Sequence, residues 1–528
     1  MFLDANAVPA GTVIETEVCI VGAGAAGITL AREFVGAGFR TVLLESGSTD
    51  FDSDTQELYK GSDIGRHYED LTTCRLRYFG GTTNHWGGWC RPLEAVDLEP
   101  RDGLPYRGWP FDRAYLDPWY RRAQEVVQLG PYEYSPDKWG IPPARITPPF
   151  GGPHFVTKIL QQSPPTRFGQ VYEPELRAAE RVTVYLKANA LSFETDPSGR
   201  AVEQVRIGTL AGNRFAVRAK VFVLACGGIE NARLLLLSPA ASGNGLGNDH
   251  DLVGRFFMVH IVYSGGSVLL SDPYVNLDFF TGRGSEIYRG FGKPYRFVSL
   301  VGLSPESMRS LKLPNINVMW LYKFRGDVTA FDAFGRLTHF NEKGGAETMA
   351  DLGSVFRNVD GIAEHYWRRA VHGQGLPVEA LLLHFSSEQI PNPDSRIVLG
   401  TELDALGQRR VAVDWRLTAE DRRLAFETQR LFGAEIGRAR LGRMQMSLRE
   451  NEDSWPDDMY GDEHQMGTTR MHRDPTQGVV DENCRLHGAA NLYVAGSSVF
   501  PTGGAANPTL TIVTLALRLA DHIKERMA

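Results

Sequence analysis

The 528-residue chain carries five cysteines, Cys19, Cys74, Cys90, Cys226 and Cys484, and no two of them stand in a CxxC spacing. An odd, scattered set builds neither a disulfide framework nor a structural zinc site, so no metal is expected and a cytoplasmic, reducing setting is the default. No block of Lys and Arg interrupts the mixed charge that sums to -7. Nucleic acid and anionic membrane surfaces are therefore not expected as partners, and a small neutral molecule is. No run approaches 18 apolar residues, and the opening MFLDANAVPAGTVIETEVCIVG has acids where a secretory leader carries basic residues, so neither a membrane span nor a leader is expected. Internal repeats and flexible polar linkers are missing too. With 42% hydrophobic residues, the chain is expected to form two or three globular domains with ample core.

What the chain does have is glycine in patterned places. Its first fifty residues read as a βαβ unit of the α/β class. A buried strand ends at Val21, GAGAAG follows from Gly22 to Gly27, an apolar-periodic helix runs through Ile28, Leu30, Ala31, Phe34 and Val35, Gly38 stops it, and TVLLE forms the next strand. A lone GxGxxG says little. Here Gly22, Gly24, Ala25 and Gly27 follow a strand and open a helix, and Glu45 closes the second strand 23 residues after Gly22. That context predicts a dinucleotide site, with the pyrophosphate on the helix N-terminus and Glu45 on the ribose diol; NAD and FAD fit it equally. Strands recur at RVTVYLKANALSF and AKVFVLACGG, ENARLLLLS begins another helix, and NPTLTIVTLALRLADHIKERM forms one long, largely buried helix. A further helix is expected from about Asp112, which can cap its first turn.

A second cluster, GGTTNHWGG from Gly80 to Gly88, surrounds His85 and Trp86 with four glycines. Such a run means tight turning or a backbone that another group approaches closely. Together with GAGAAG, ACGGIENARLLLLS, HQMGTTRM from His464 to Met471, and NLYVAGSSVFPTGGAANPTLT from Asn491 to Thr511, it resembles the glucose-methanol-choline (GMC) oxidoreductases, in particular their pyranose oxidase-like branch. These segments span nearly the whole chain in the family's order.

The resemblance selects FAD over NAD. It implies a Rossmann-like FAD-binding domain assembled from residues 1–103, 165–255 and 464–528, an arm or lid over 104–164, and a β-sheet-rich substrate-binding domain over 256–463. Gly81, Thr82, His85, Trp86 and Gly87 would lie along the flavin ring, with Gly496, Pro508 and Thr509 completing the cofactor site. In fungal pyranose oxidases the corresponding histidine bonds covalently to the flavin; Asn84 and Gly87 depart from their pattern and leave that bond at His85 open. His464 falls on the catalytic histidine, the general base that takes the hydroxyl proton while hydride passes to flavin N5. Asn507 falls on its partner position and can only orient, since an amide is no base. Asn507-Pro508 also reads as an ordinary helix start, cap then first residue. Glu388 and Gln389 are weaker candidates for holding sugar hydroxyls, and His260 and His384 read as packed histidines.

The expected reaction is oxidation of a secondary ring hydroxyl of a sugar or glycoside, at C2 or C3, to a ketone, with electrons passed on to dioxygen or another acceptor. Alternatives are a non-sugar alcohol as substrate, a lyase that keeps FAD as structure, and a non-catalytic flavoprotein subunit. The pair His464 and Asn507 argues against the last.

Overall fold

Every side chain of Val18–Val21, Thr41–Leu44 and Val221–Leu224 is buried, as in central strands of a parallel sheet covered on both faces. In the computed structural model these three lie side by side in a six-stranded sheet, ordered Phe2–Asp4, Val182–Leu186, Thr41–Leu44, Val18–Val21, Val221–Leu224 and Leu492–Val494. All its pairings are parallel. The described residues are all but 102, 103, 107, 282–285, 289–294, 325–359, 361, 362, 364–366, 368, 369 and 372–376. Part of the region expected to form the substrate domain therefore lies outside them.

The first crossover helix, Ala25–Glu33, and the C-terminal helix, Thr509–Met527, pack on each other beside this sheet. Near-continuous burial along Leu510–Ala520 follows from an apolar surface that runs almost all round the helix.

A second, nine-stranded sheet is antiparallel along its main path, ordered Gly442–Met446, His260–Leu270, Val378–Glu388, Ile316–Phe324, Tyr295–Leu303, Phe155–Gln162 and Trp89–Cys90. The helix Ala419–Arg438 opens with a capping box, Thr418 and Asp421 satisfying each other's amides. Its Phe432 and Ile436 join Trp320 and Phe385 in the core of this half. Among the described residues no helix is long and apolar enough to cross a membrane.

Residues 104–164 do not stand out as a separate arm. The helix Arg113–Val126, capped by Asp112 Oδ1 on the Tyr115 amide at 2.8 Å, packs against the C-terminal helix. Phe155–Gln162 is an inner strand of the nine-stranded sheet. The stretch thus joins the C-terminal helix, through Arg113–Val126, to the nine-stranded sheet, through Phe155–Gln162.

Candidate active site

The turn after Val21 is shaped by contacts that only glycine permits. Gly22 has φ +102°, and a Cβ there would lie 2.6 Å from the Ala225 carbonyl oxygen; a Cβ on Gly27 would lie 1.8 Å from the Gly22 carbonyl oxygen. Gly27 accordingly packs the helix onto the turn and does not line the cavity. Gly24 differs: a Cβ there would meet nothing within 4 Å. It caps the helix Ala25–Glu33 without any side-chain hydrogen bond, so the helix's first amides face open space. That is the cradle a pyrophosphate requires.

Gly22, Gly24 and Ala25 line one end of a cavity of about 1800 Å³, counted out to its open mouth. Glu45 lines it as well. Its Oε2 accepts the Ala23 amide at 3.1 Å and its Oε1 the Gly47 amide at 2.8 Å, which fixes the carboxylate beneath the turn.

The Gly80–Gly88 segment lines the middle of the cavity with Gly81, Thr82, His85, Trp86 and Gly87. Its glycines do two jobs. Gly80 (φ +99°) and Gly88 (φ +76°) abut backbone, the Gly169 nitrogen at 2.8 Å and the Ser163 oxygen at 2.9 Å from a notional Cβ. Gly81 instead brings the segment onto the first turn, 3.1 Å from Gly24 Cα by the same measure. The short helical turn Gly81–Asn84 presents His85 to the cavity. Arg167 pins that turn by donating to the Thr83 and Trp86 carbonyls, both at 3.0 Å. Partial burial, with Arg167 nearby, holds the His85 imidazole below its ordinary pKa.

Beyond the glycine turn the wall carries a charge cluster, of which Glu230 and Arg233 stand in the ACGGIENARLLLLS segment. Glu230, on the helix Gly227–Leu237, meets Arg75 at 3.1 Å, Arg233 at 3.2 Å and Arg77 at 3.5 Å. Burial alone would raise its carboxyl; the three guanidiniums, Arg233 foremost, bring it down to about 2. Glu230, Arg77, Arg233 and Asp404, which pairs with Arg233 at 2.7 Å, all line the cavity, so two cations and two paired carboxylates face whatever occupies this end.

At the other wall stand His464, Asn507, Gly496, Pro508 and Thr509. Tyr460–Gly461 pairs antiparallel with Val262 and Ile261, and the pairing resumes between Met466 and Met258. This register lays His464 beside His260. Asn507 arrives from the loop before the C-terminal helix. Its Nδ2 donates to His464 Nε2 at 3.2 Å. The helix begins at Thr509, with Pro508 as its cap and no side-chain capping bond. Of the two uses open to Asn507, the structure shows contact with His464.

Sequence reasoning missed Asp462, whose Oδ2 lies 2.5 Å from His464 Nδ1. It also missed that His260, though packed and 2% exposed, has its Nδ1 3.0 Å from His464 Nδ1. His260, Asp462 and His464 are ligand types for a metal, but 2.5 Å is a hydrogen-bond separation, shorter than the ~3 Å between donors sharing one ion. The DEH triplet was the available signal; only the fold shows where its aspartate points.

Glu388 and Gln389 are corrections: neither lines the cavity. Glu388 accepts from Arg101 at 2.8 Å and from the Asn315 amide at 3.1 Å, and its Oε1 accepts the Gly504 amide at 3.3 Å. It braces the loop that carries Asn507. Gln389 accepts from Trp415 Nε1 at 3.0 Å and the Val259 amide at 3.2 Å. Both are 1% exposed because the strand Val378–Glu388 ends inside the molecule, where polar side chains must be paired.

A glycine turn on a parallel sheet and a histidine–asparagine pair that line one cavity fit a class, the nucleotide-dependent oxidoreductases of CH–OH groups. Comparison with known proteins narrows it. The family model described as GMC oxidoreductase matches residues 391–516. Over 97% of this chain and 92% of the relative, the sequence is 25% identical to 6'''-hydroxyparomomycin C oxidase of Streptomyces lividus. Over 12% of this chain and 13% of the relative, it is 45% identical to C-glycoside 3-oxidase of Microbacterium trichothecenolyticum. The fold matches the crystal structure of pyridoxine 4-oxidase from Mesorbium loti with a TM-score of 0.57, at 16% identity, over 96% of this chain and 98% of that one. Over residues 391–516 the chain is thus similar to the GMC oxidoreductases, and along nearly its whole length it is similar to an oxidase. It is an enzyme, an oxidoreductase acting on alcohol groups.

Proposed function

We propose that the protein oxidises a secondary ring hydroxyl of a sugar or glycoside, at C2 or C3, to the ketone. The observation that carries the proposal is the 3.2 Å contact of Asn507 Nδ2 with His464 Nε2 at the cavity wall. A substrate hydroxyl entering between them gives its proton to Nε2 while the Asn507 N–H holds the oxygen. FAD, when bound, supplies the two-electron acceptor for the hydride that leaves the same carbon. The C-terminal helix opens at the cavity with Pro508 and Thr509, and the positive end of its dipole, with the Thr509 amide, favours negative charge there. Gly24, Glu45, Arg77 and Arg233 hold the nucleotide half. The sugar assignment is supported by relatives named as oxidases of 6'''-hydroxyparomomycin C and of C-glycosides. Electrons leave for dioxygen or another acceptor, and five unpaired cysteines support a cytoplasmic setting. His85 is the residue through which a covalent link to FAD would form.

The test is anaerobic mixing of the purified holoenzyme with free sugars and glycosides while the yellow flavin band is followed. Bleaching by a sugar or glycoside, with the keto product identified by mass, supports the proposal. Bleaching by non-sugar alcohols alone ends it, and substrate consumption with the colour intact indicates a lyase.

A further inference from the structure

Asp462 has no place in the reaction as written, yet its two oxygens divide their partners in a telling way. Oδ1 accepts the backbone N–H groups of His260 and His464, each at 3.1 Å. Oδ2 lies 2.5 Å from His464 Nδ1 and 3.4 Å from His260 Nδ1. The imidazole planes cross at 74° with centroids 5.0 Å apart, so both Nδ1 atoms converge on one oxygen. Two amides of paired backbone hold the carboxylate, and Oδ2 cannot swing away without breaking the pairing that joins His260 to Asp462. A carboxylate only accepts. Nδ1 of His464 therefore carries the proton, and Nε2, on the cavity side, carries the lone pair.

We propose that Asp462 is the positioning residue for His464, fixing the tautomer whose Nε2 accepts the substrate proton and stabilising the imidazolium then formed, while His260 competes for the same negative charge. The inference rests on the reading of His464 as the base. One carboxylate can neutralise one imidazolium, so protonation of either histidine weakens the carboxylate's hold on the other. Burial alone would raise the Asp462 carboxyl; His464 and then His260 keep it well below the usual carboxylate range. Burial alone would lower His260; Asp462 raises it. The other ionisable groups around the cluster, among the described residues, are Glu388, opposite His260 in the neighbouring strand, Tyr460 and Glu463 beside Asp462 and His464, and Tyr68, Glu69 and Cys74 from the loop before the Gly80–Gly88 segment. Tyr68 donates to the Asp462 carbonyl at 2.9 Å. His260 Nε2 packs against Gly503, so the pair also touches the loop that bears Asn507.

Two measurements on the FAD-loaded enzyme test this. In ¹⁵N-histidine NMR, the signal lost in His464→Ala should show the Nδ1–H tautomer in the parent, and in Asp462→Asn it should shift toward Nε2–H or a mixture. In anaerobic flavin reduction by D-glucose and by phenyl glucoside, Asp462→Asn should slow reduction by about 100-fold at unchanged FAD content. It should also move the rising limb of the pH profile to lower pH, because removing a neighbouring anion lowers an imidazolium pKa. His260→Gln should move the same limb to higher pH, since the anion then acts on His464 alone, with the rate above the limb changed only a few-fold. Limbs that move in opposite directions are a signature that a packing role does not produce.

An Nε2–H tautomer in the parent, or unmoved limbs in both variants, overturns the proposal. If His464→Ala abolishes reduction while Asp462→Asn leaves rate and limb alone, this inference fails and the base reading stands. If His464→Ala reduces normally, the base reading itself is gone. Should Asp462→Asn fail to fold, the parent tautomer and the His260→Gln limb still decide.

Discussion

Glu230→Gln removes the one anion shared by three guanidiniums and leaves shape almost unchanged. In the folded chain the Glu230 carboxyl sits at about 2 against an ordinary 4.5, a drop equivalent to roughly 3 kcal/mol of preference for the charged form. The side chain is only 9% exposed, so solvent screening removes little of this. The figure agrees with the ~3–5 kcal/mol typical of breaking a buried ion pair from one side. Because the folded value lies below the unfolded one, the stabilisation is present above about pH 4.5 and is lost as pH falls through about 2. A chain of this length gains about 1 kcal/mol per kelvin of unfolding entropy, so the parent should melt about 3 °C above the variant at neutral pH. Differential scanning fluorimetry of both proteins, with and without FAD, from pH 8 down to pH 3 is the assay. The gap should stay flat from pH 8 to about 5 and narrow below. FAD retention should fall as well, because Arg77 lines the cavity and loses its ion-pair partner, while Arg233 keeps Asp404 at 2.7 Å. Equal melting at pH 7, or a gap that widens on acidification, refutes the reasoning.

Gly27→Ala should give little folded, FAD-loaded protein, since its Cβ would stand 1.8 Å from a backbone oxygen; Gly24→Ala should fold normally and lose FAD on gel filtration, because its methyl points where the phosphate belongs. A Gly24→Ala protein that keeps its full yellow colour would contradict the cradle. His464→Ala should retain FAD and slow anaerobic flavin reduction by about 100-fold or more, and a near-normal rate would remove this imidazole from the chemistry. Acid precipitation of the holoenzyme should leave a yellow pellet that turns colourless in His85→Ala if the flavin is bonded there; a colourless parent pellet shows that His85 makes contact without a bond.

The parts of this molecule that could be read from the sequence are those whose physics is local. A strand, a glycine turn and a helix declare themselves within fifty residues, because the period of the apolar pattern changes where the backbone changes. Gly22, Gly24 and Gly27 stand at their expected places, although the structure assigns them different work: Gly22 and Gly27 avoid collisions and Gly24 keeps space open. The mistaken readings share another cause. Glu388 and Gln389 look like the solvated end of a strand, and sequence gives no way to know that the strand stops in the interior, where Arg101, the Asn315 and Gly504 amides and Trp415 meet those side chains.

His260 and Asp462 stand 202 residues apart, and neither belongs to a motif. What joins them is a register, Ile261 against Gly461 and Met258 against Met466. Shifting that register by one residue would displace the 462–465 segment between the two pairings and carry His464 away from its contact with Asn507. The backbone pairing and the Asp462 carboxylate thus specify the same orientation of one imidazole, through the two amides and the two ring nitrogens that share it. This predicts that substitutions which loosen the pairing without touching the histidines, such as Gly461→Val, whose side chain would press on Trp415 and Val259, slow flavin reduction more than they weaken FAD binding. Equal losses of both would mean that the register serves the fold as a whole and not the base.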